Sequence, residues 1–308
     1  MRRNYEISGG KVVDSASPST PIVVFSNPNE EEKRHLLDEL KIDEHTLISS
    51  LDPDEPGRLE FEPDHAAIIF KRPKNYSAED RLLFKVLSAG AFLFRDHLVV
   101  VVAEDAPLFD GGKLNVKVAS PSGVLLKLLY RTIAHFLGHL RGINVMTDEL
   151  EQKINTSMQN KYLISLFSLE KSLVYYLNAL HSNGLVAEKL KACAPKLGFS
   201  TEEVEMLDDI LIENNQCYKQ AEIYSQVLSS LMDARASIVS NNLNAVMGRL
   251  TLVMIAIMWP TLVCGIFSMN MALPLSNPQS HAPFWIVMAL AWLPLLAGYL
   301  LYWKLGKR

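Results

Sequence analysis

Two long apolar segments near the carboxyl end dominate the hydropathy pattern of this chain. No Asp, Glu, Lys, Arg or His occurs from Leu250 to Met269 or from Pro283 to Trp303. Each segment has roughly the 20 residues that an α-helix needs to cross a ~30 Å hydrocarbon core. Lipid offers backbone amides no partner, so both segments are predicted to be helices. The alternative is a buried helix of a soluble protein, but two such segments in succession favour a pair of transmembrane helices at residues 250–269 and 283–303.

The basic residues around these segments predict their orientation. The flanking positive charges are Arg249, Lys304, Lys307 and Arg308. The loop at 270–282 has no Lys or Arg, so the positive-inside rule places the loop outside and both chain termini in the cytosol. Residues 1–8 lack the apolar stretch of a signal peptide. We therefore expect a multi-pass protein of an inner or plasma membrane with a short basic tail at 304–308.

The first part of the chain, residues 1–120, has the mixed pattern of an α/β domain that we expect to be cytosolic. The apolar runs predicted to be strands are Pro21–Phe25, Ala66–Phe70, Ala91–Phe94 and His97–Ala103. Glu30–Leu40 is predicted to be a charged helix, and the acidic, proline-rich stretch Leu51–Pro63 a loop. The overall fold class is therefore α+β, with helices following this domain.

Residues 121–249 have a helical pattern throughout. Apolar residues recur at threes and fours from Gly123 to about Cys193, and Ser200 with Glu203 then forms a capping-box sequence. No proline follows from Thr201 until Pro260, and a heptad-like line of mostly apolar residues runs along this stretch. An uninterrupted helix of about 65 residues would be roughly 100 Å long and would need neighbouring copies of the chain. Two helices separated by a break are the alternative.

The first apolar segment carries a polar stripe along one helical face. The stripe follows alternating steps of three and four residues: Asn244, Met247, Thr251, Met254, Met258, Thr261, Gly265 and Ser268. Polar groups within a bilayer usually face a protein interior or a water-filled path. Several copies around an axis could enclose a pore lined by this stripe. A helix–helix contact is the alternative, because small and polar residues also join membrane helices.

Composition argues against catalysis. The net charge of −4 and the pI of about 6.1 are ordinary, and the three cysteines have no metal-binding spacing. His135 and His139 are four residues apart but lack the glutamate of a metalloprotease motif, so we expect them on a helix surface. We expect neither an enzyme, nor a tightly bound cofactor, nor a nucleic-acid partner.

Two segments around the first apolar run resemble the CorA magnesium-transporter family. SNNLNAVMGRLT at 240–251 is similar to the family's S-N-x-x-N-x-V-M-x-x-L-T, and PTLVCGIFSMN at 260–270 is similar to a helix end that normally closes in G-I-Y-G-M-N. HAAIIFKRP, within the region 30–73, resembles part of the family's amino-terminal domain. This chain therefore resembles a divergent CorA-type protein with S-M-N in place of G-M-N.

The resemblance implies a homopentameric funnel that conducts divalent cations, chiefly Mg²⁺ and in some branches Zn²⁺, Co²⁺ or Ni²⁺. Asn270, next to Met269 and Ser268, would bind the hydrated ion at the outer mouth. Mg²⁺ gives up water reluctantly and prefers oxygen ligands, which suits neutral carbonyl oxygens at such a mouth. The resemblance implies polar rings at Thr261 and Asn244, and the methionines Met258 and Met247 with Leu250 would form constrictions.

The family also senses cytosolic magnesium through acidic residues between protomers. The matching position on the long helix is Asp209, beside Asp208. Glu79 or Asp80 would supply the partner carboxylate. A solvated acidic helix start is the alternative.

Two departures from the family pattern affect the choice of ion. Ser268 replaces the signature glycine, and the loop MALPLSNPQSHA at 271–282 has no acidic residue, so it concentrates cations at the mouth more weakly. Three hypotheses follow. The leading one is a divalent-cation channel, the second a less selective or differently gated channel, and the third a membrane-anchored regulatory protein without transport.

Overall fold

The structure is a computed structural model, and it describes residues 1–17, 20–77, 80–105, 108–109, 118–156, 160–268 and 281–305. The chain divides into two compact units, Met1–Met232 and Asp233–Arg308. We call them the globular unit and the C-terminal unit. Each is described by itself.

The globular unit is built on one seven-stranded mixed sheet. Its strands are β1 (Arg2–Ser8), β2 (Lys11–Asp14), β3 (Ile22–Ser26), β4 (Arg58–Phe61), β5 (His65–Pro73), β6 (Val86–Phe94) and β7 (Leu98–Val102). Their order across the sheet is β2-β1-β3-β7-β6-β5-β4. Only β3 and β7 pair in parallel among these strands. All five residues of β7, LVVVV, are buried, as expected for a central strand covered on both faces.

Helices cover the two faces of this sheet. The helices that begin in this unit are α1 (Glu30–Asp38), α2 (Glu44–Leu51), α3 (Pro121–Thr156), α4 (Asn160–Ala192), α5 (Ala194–Leu197) and α6 (Thr201–Phe267). Residues of α1 and α2 share a small apolar core with Phe25, Phe92 and Val101 on one face. Residues of α3, α4 and the first part of α6 form a larger core on the other face, around Phe136 and Tyr176.

Side chains of α4 complete the hydrogen bonding of the sheet next to the start of β4. The Lys71 N–H donates to Asn183 Oδ1 and the Lys71 carbonyl accepts from Asn183 Nδ2, both at 2.7 Å. The Asn183 amide therefore pairs with β5 as a neighbouring strand would, which satisfies a buried backbone segment. The Gly57 N–H donates to Ser182 Oγ at 2.7 Å in the same way.

Most of the predicted elements are confirmed. The four predicted strands correspond to β3, β5, β6 and β7, and the predicted charged helix is α1. The Ser200–Glu203 capping box is confirmed by two reciprocal hydrogen bonds at 2.8 and 3.3 Å. The helix α6 is continuous from Thr201 to Phe267, so the alternative of two helices with a break is wrong.

One prediction was wrong in part. The stretch Leu51–Pro63 was predicted to be a loop, but β4 lies inside it and pairs with β5. The edge strand was missed because its sequence, RLEF, alternates charge with apolar residues for only four positions beside prolines. Its Arg58 forms ion pairs with Glu55 and Glu60, which accounts for charged residues at a partly buried edge.

The C-terminal unit contains the last part of α6 and a second helix, α7 (Ala282–Leu305). Among the residues described there, Val263 and Ala291 are buried and nearly all the others are exposed. An apolar surface of this extent is not stable in water, so it has to be covered by lipid or by other protein.

Candidate functional site

The polar stripe is exposed along its whole length. Met258 is 69% exposed and Met247 57%, and the other members of the stripe are also exposed. Leu250, the predicted constriction beside it, is exposed too. Neither α6 nor α7 of the same chain covers this face, so the stripe is available to lipid, to water or to another copy.

The hydroxyl groups of the stripe donate their protons to the backbone of their own helix. Thr251 Oγ1 donates to the Met247 carbonyl at 2.9 Å, and Thr261 Oγ1 donates to the Ile257 carbonyl at 2.7 Å. Ser268 Oγ donates to the Gly265 carbonyl at 2.9 Å. Each hydroxyl oxygen keeps its two lone pairs, so these positions present hydrogen-bond acceptors outward. Acceptor oxygens are suited to a hydrated cation.

The second helix contacts the opposite side of α6. The indole Nε1–H of Trp259 donates to the Leu290 carbonyl of α7 at 3.1 Å. Val263, one turn later on the same side, is only 6% exposed. At 3.6 residues per turn, Trp259 and Val263 lie on the other side of the helix from Met258 and Thr261. The stripe is therefore not occupied by the second helix of its own chain.

This contact was missed by the sequence analysis, although the sequence contains a signal for it. Pro294 has no N–H, so it cannot donate to the Leu290 carbonyl four residues earlier in α7. An unpaired carbonyl is costly in lipid, and the Trp259 indole supplies the missing donor. A tryptophan on one apolar helix and a proline inside the next are the two features that could have indicated it.

The outer end of the predicted pore lies outside the described residues. The structure does not describe Met269, Asn270 or residues 271–280 of the loop that follows them. Ser268 is the last described residue of the segment, and its N–H donates to the Cys264 carbonyl at 2.9 Å. The role of Asn270 therefore stays a prediction.

Two of the predicted regulatory carboxylates, Asp80 and Asp208, have other partners within the globular unit. Asp80 accepts hydrogen bonds from the Ser77 backbone and hydroxyl and from Lys74, which together lower its pKa to about 2. Asp208 forms an ion pair with Lys191, and Asp209 is exposed. Glu79 lies outside the described residues. Within one chain, Asp80 and Asp208 are therefore already engaged by other partners.

His135 and His139 do not lie on a helix surface, so that prediction was wrong. Both are half-buried on α3, with their Nε2 atoms 3.1 Å apart, and His139 Nδ1 is 2.5 Å from the Tyr176 hydroxyl of α4. The ring of Phe84 packs against His139 edge to face at 5.2 Å. Burial lowers the pKa of His139, and burial with the nearby His139 lowers the pKa of His135 to about 4. The helical spacing was correct, but the face of α3 was not.

Nothing in the described part of the chain gathers three or more His, Cys, Asp or Glu side chains in a metal-binding cluster. The same residues contain one helix, Thr201–Phe267, that has an apolar window long enough to cross a membrane. The shorter apolar segment Phe284–Leu300 lies within α7.

Comparison with known proteins identifies the class of protein to which these features belong. The family described as "CorA-like Mg²⁺ transporter protein" matches residues 21–307. The chain therefore belongs to the CorA-like family, whose members are membrane-embedded transporters rather than enzymes.

Individual relatives agree with this assignment. The cobalt/magnesium transport protein CorA of Methanocaldococcus jannaschii is 28% identical over 276 residues, which cover 86% of this chain and 84% of that protein. The complete structure of the M. jannaschii CorA magnesium transporter has a TM-score of 0.79 at 23% identity, covering 96% of this chain and 95% of that one. The full-length CmaX protein has a TM-score of 0.69 at 13% identity, covering 94% and 97%. The fold is CorA-like, with an α/β domain and long helices.

Proposed function

We propose that this protein is a homopentameric channel that conducts divalent cations, with Mg²⁺ as the leading candidate, across an inner or plasma membrane. The observation that carries the proposal is the exposed stripe from Asn244 to Ser268, whose hydroxyl oxygens present acceptors on the side of α6 opposite α7. Five copies of that stripe around one axis would form the pore. The pentamer is carried over from the family resemblance.

The proposed topology has two membrane-spanning segments, one at 250–269 that contains the end of α6 and one at 283–303 within α7. The 24 residues of α7 exceed the ~20 needed to span, and no Asp, Glu, Lys, Arg or His lies from Pro283 to Trp303. In this arrangement the loop 270–282 is extracytoplasmic. Residues 1–120, the helices at 121–249 and the tail at 304–308 are cytosolic.

The chemistry of conduction follows from weak oxygen contacts and the membrane potential. Asn270 at the mouth and Thr261 and Asn244 further in would contact the hydrated ion through neutral oxygens, which bind without trapping it. Met258, Met247 and Leu250 would form apolar constrictions that open and close the water column. An inside-negative potential favours inward movement of a divalent ion by about 4.6 kcal/mol per 100 mV, counting two charges.

Flux through reconstituted protein tests the proposal directly. Liposomes loaded with an ion-sensitive dye are expected to show uptake of Mg²⁺, Co²⁺, Zn²⁺ or Ni²⁺, and Asn270→Ala is expected to reduce it at least about tenfold if one charge-assisted contact at the mouth is lost. Asn244→Ala should also reduce uptake. Asn242→Ala is the matched control, because the same change then falls on the other side of the helix. No uptake of any of these ions would refute the proposal and favour a membrane-anchored regulatory protein.

Thiol accessibility tests whether the stripe faces water. In a Cys264→Ser background, Thr261→Cys should react with a charged, membrane-impermeant methanethiosulfonate reagent, and the reaction should block flux. Val253→Cys, exposed on another side of α6, should not react when lipid covers it. Equal reactivity at the two positions would contradict a lumen-facing stripe.

A less selective channel is a second candidate because of two sequence features of the outer mouth. Ser268 replaces the family's glycine, and the loop 271–282 has no carboxylate to concentrate divalent cations. Single-channel recording in mixed Na⁺ and Mg²⁺ salts distinguishes the two candidates. A strong preference for Mg²⁺ would exclude the less selective channel.

The proposal includes one regulatory site for cytosolic cations. It would be formed by Asp209 and Asp208 of one copy and Glu79 or Asp80 of a neighbouring copy. Asp209 is exposed and so is available for such a contact. Asp209→Asn should then keep flux high at millimolar cytosolic Mg²⁺ that inhibits the unaltered channel. Unchanged inhibition would remove this site from the proposal.

A further inference from the structure

One lysine of the globular unit is buried and has no direct carboxylate partner among the residues that the structure describes. Lys71 of β5 is only 4% exposed, and its Nζ donates to the Pro53 carbonyl at 2.8 Å and to Ser88 Oγ at 2.9 Å. Within the described ranges, no ion pair to Lys71 is formed. A buried ammonium normally has a charged partner because removing it from water is costly. Burial lowers the pKa of Lys71, and the more distant Asp52 and Asp54 oppose that shift.

Lys71 lines a pocket of a size that suits a small organic molecule. The pocket has a volume of about 470 Å³ and lies between the Pro53–Gly57 loop, the adjoining ends of β5 and β6, and one side of α4. Small-molecule sites typically have about 300–1,000 Å³. Val86 and Leu185 give part of the wall an apolar surface, and the ring of Tyr175 is partly exposed beside it.

Several side chains around this pocket can donate hydrogen bonds. Lys85 and His181 line it together with Lys71, and Asp54 is the one carboxylate among its described lining residues. Ser182 Oγ already accepts from the Gly57 N–H, so its own hydroxyl proton is available to a ligand. An ammonium carries three N–H donors, and two of those on Lys71 are used by the protein.

We propose that this pocket binds an organic phosphate, with the phosphate held by Lys71 and Lys85 and the organic part lying against Tyr175 and Leu185. Two ammonium groups suit a group with more than one negative charge, and the volume exceeds what inorganic phosphate alone would fill. Ser182 donates a further hydrogen bond. The proposal concerns the globular unit alone and does not depend on conduction by the C-terminal unit.

The pocket lies beside the contact between α4 and α6, so a bound ligand can influence α6 through α4. The His181 ring lies 6.3 Å from the Tyr218 ring of α6, and Asn214 Nδ2 of α6 donates to the Leu180 carbonyl at 2.9 Å. A ligand that bonds Ser182, next to His181, therefore restrains the turn of α4 that contacts α6. If the proposed channel function is correct, occupancy will change flux, but binding is measured separately.

Calorimetry on the full chain in detergent, without Mg²⁺ and with EDTA at constant ionic strength, tests the proposal. ADP and glucose 6-phosphate serve as organic phosphates, inorganic phosphate as the bare anion, and adenosine as an uncharged body. At least one organic phosphate should bind more tightly than either inorganic phosphate or adenosine. Lys85→Met should weaken that binding about tenfold, as expected for one lost charged hydrogen bond.

Variants separate a real site from nonspecific attraction. Lys71→Met should abolish binding, and Lys189→Met, an exposed lysine further along α4 that does not line the pocket, should leave it unchanged. If Lys71→Met fails to fold, the exposed Lys85 decides the outcome by itself. Binding of none of the four probes, or binding that Lys85→Met and Lys189→Met alter equally, would overturn the proposal. These outcomes are independent of any flux measurement.

Discussion

The globular unit buries many of its large apolar side chains, whereas the C-terminal unit exposes most of those described. In the globular unit Phe25, Phe92 and Leu126 are almost completely buried, and apolar area removed from water stabilises the fold by about 25 cal/mol per Å². In the C-terminal unit Trp285 and Leu293 are about as exposed as Met258. The globular unit therefore contains its own core, whereas the C-terminal unit requires lipid or further copies to cover its surface.

The same contrast recurs within the C-terminal unit, between two sides of α6. Trp259 donates to α7 and Val263 is buried, whereas the stripe through Thr261 contacts no other helix among the residues that the structure describes. A helix that uses one side for its neighbour and leaves its oxygen-bearing side free is suited to assembly around an axis. The side of α6 that carries Trp259 is therefore already used within the chain, whereas the exposed stripe is available to other copies.

The largest expected effect compares truncation in the two units. Leu126→Ala removes a fully buried side chain and should reduce the free energy of unfolding of the globular unit by about 2–5 kcal/mol. Leu293→Ala, at a side chain that is 63% exposed, should change stability by less than about 1 kcal/mol. Equal losses would mean that the C-terminal unit has a core of its own.

The tryptophans allow the two units to be followed separately in the full chain. All four, Trp259, Trp285, Trp292 and Trp303, lie in the C-terminal unit. Indole fluorescence during denaturation therefore reports that unit. Near-ultraviolet circular dichroism of the tyrosines, most of which lie before residue 233, reports the globular unit.

Acid should destabilise the globular unit and leave the C-terminal unit nearly unaffected. The pKa of His135 is about 4 in the folded protein and about 6.5 when unfolded, so the folded state binds fewer protons. The stabilisation is present above pH 6.5 and is lost as the pH falls toward 4. We expect a loss of about 1–2 kcal/mol, allowing for partial solvent exposure of both rings.

The groups around the histidines define the control for this measurement. The charges of Arg72 and Arg131 oppose protonation of His135, and His139 faces Tyr176, whose pKa burial raises. In the double variant His135→Gln, His139→Gln, the stability of the globular unit, followed by the tyrosine signal, should no longer fall between pH 6.5 and 4. An unchanged acid dependence in that variant would assign the effect to carboxylates instead.

The smallest expected effect tests the contact between α6 and α7. Trp259→Phe keeps an aromatic ring but removes the indole donor to the Leu290 carbonyl, and should cost about 0.5–1.5 kcal/mol of stability in the C-terminal unit. Trp292→Phe, at a more exposed position, is the matched control. Thermal denaturation followed by indole fluorescence would measure both. Equal effects would remove Trp259 as a specific contact.

The sequence predicted the helices and strands whose periodicity agrees with their burial. It did not predict features that depend on packing, such as an edge strand or the face of a helix that is buried. The valine-rich strand β7 and the long helix α6 have strong, uninterrupted patterns and were predicted correctly. The edge strand β4 was missed because pairing with β5, rather than local preference, makes it a strand. For His135 and His139, spacing established that they share a face of α3 but not that this face meets Phe84 and Tyr176.

The features of the candidate site also divide into those that the local sequence predicts and those that packing determines. The order of residues alone placed Asn244, Thr261 and Ser268 on one helical face, because the period of an α-helix is set by its backbone. Only the tertiary structure decided which side of α6 meets α7 and that the stripe hydroxyls donate to their own backbone. The same holds for the burial of Lys71, whose Nζ bonds the Pro53 carbonyl and Ser88 and has no carboxylate partner among the described residues. Those features depend on contacts between residues far apart in the chain, or on the rotamer a side chain adopts, and no local pattern encodes them.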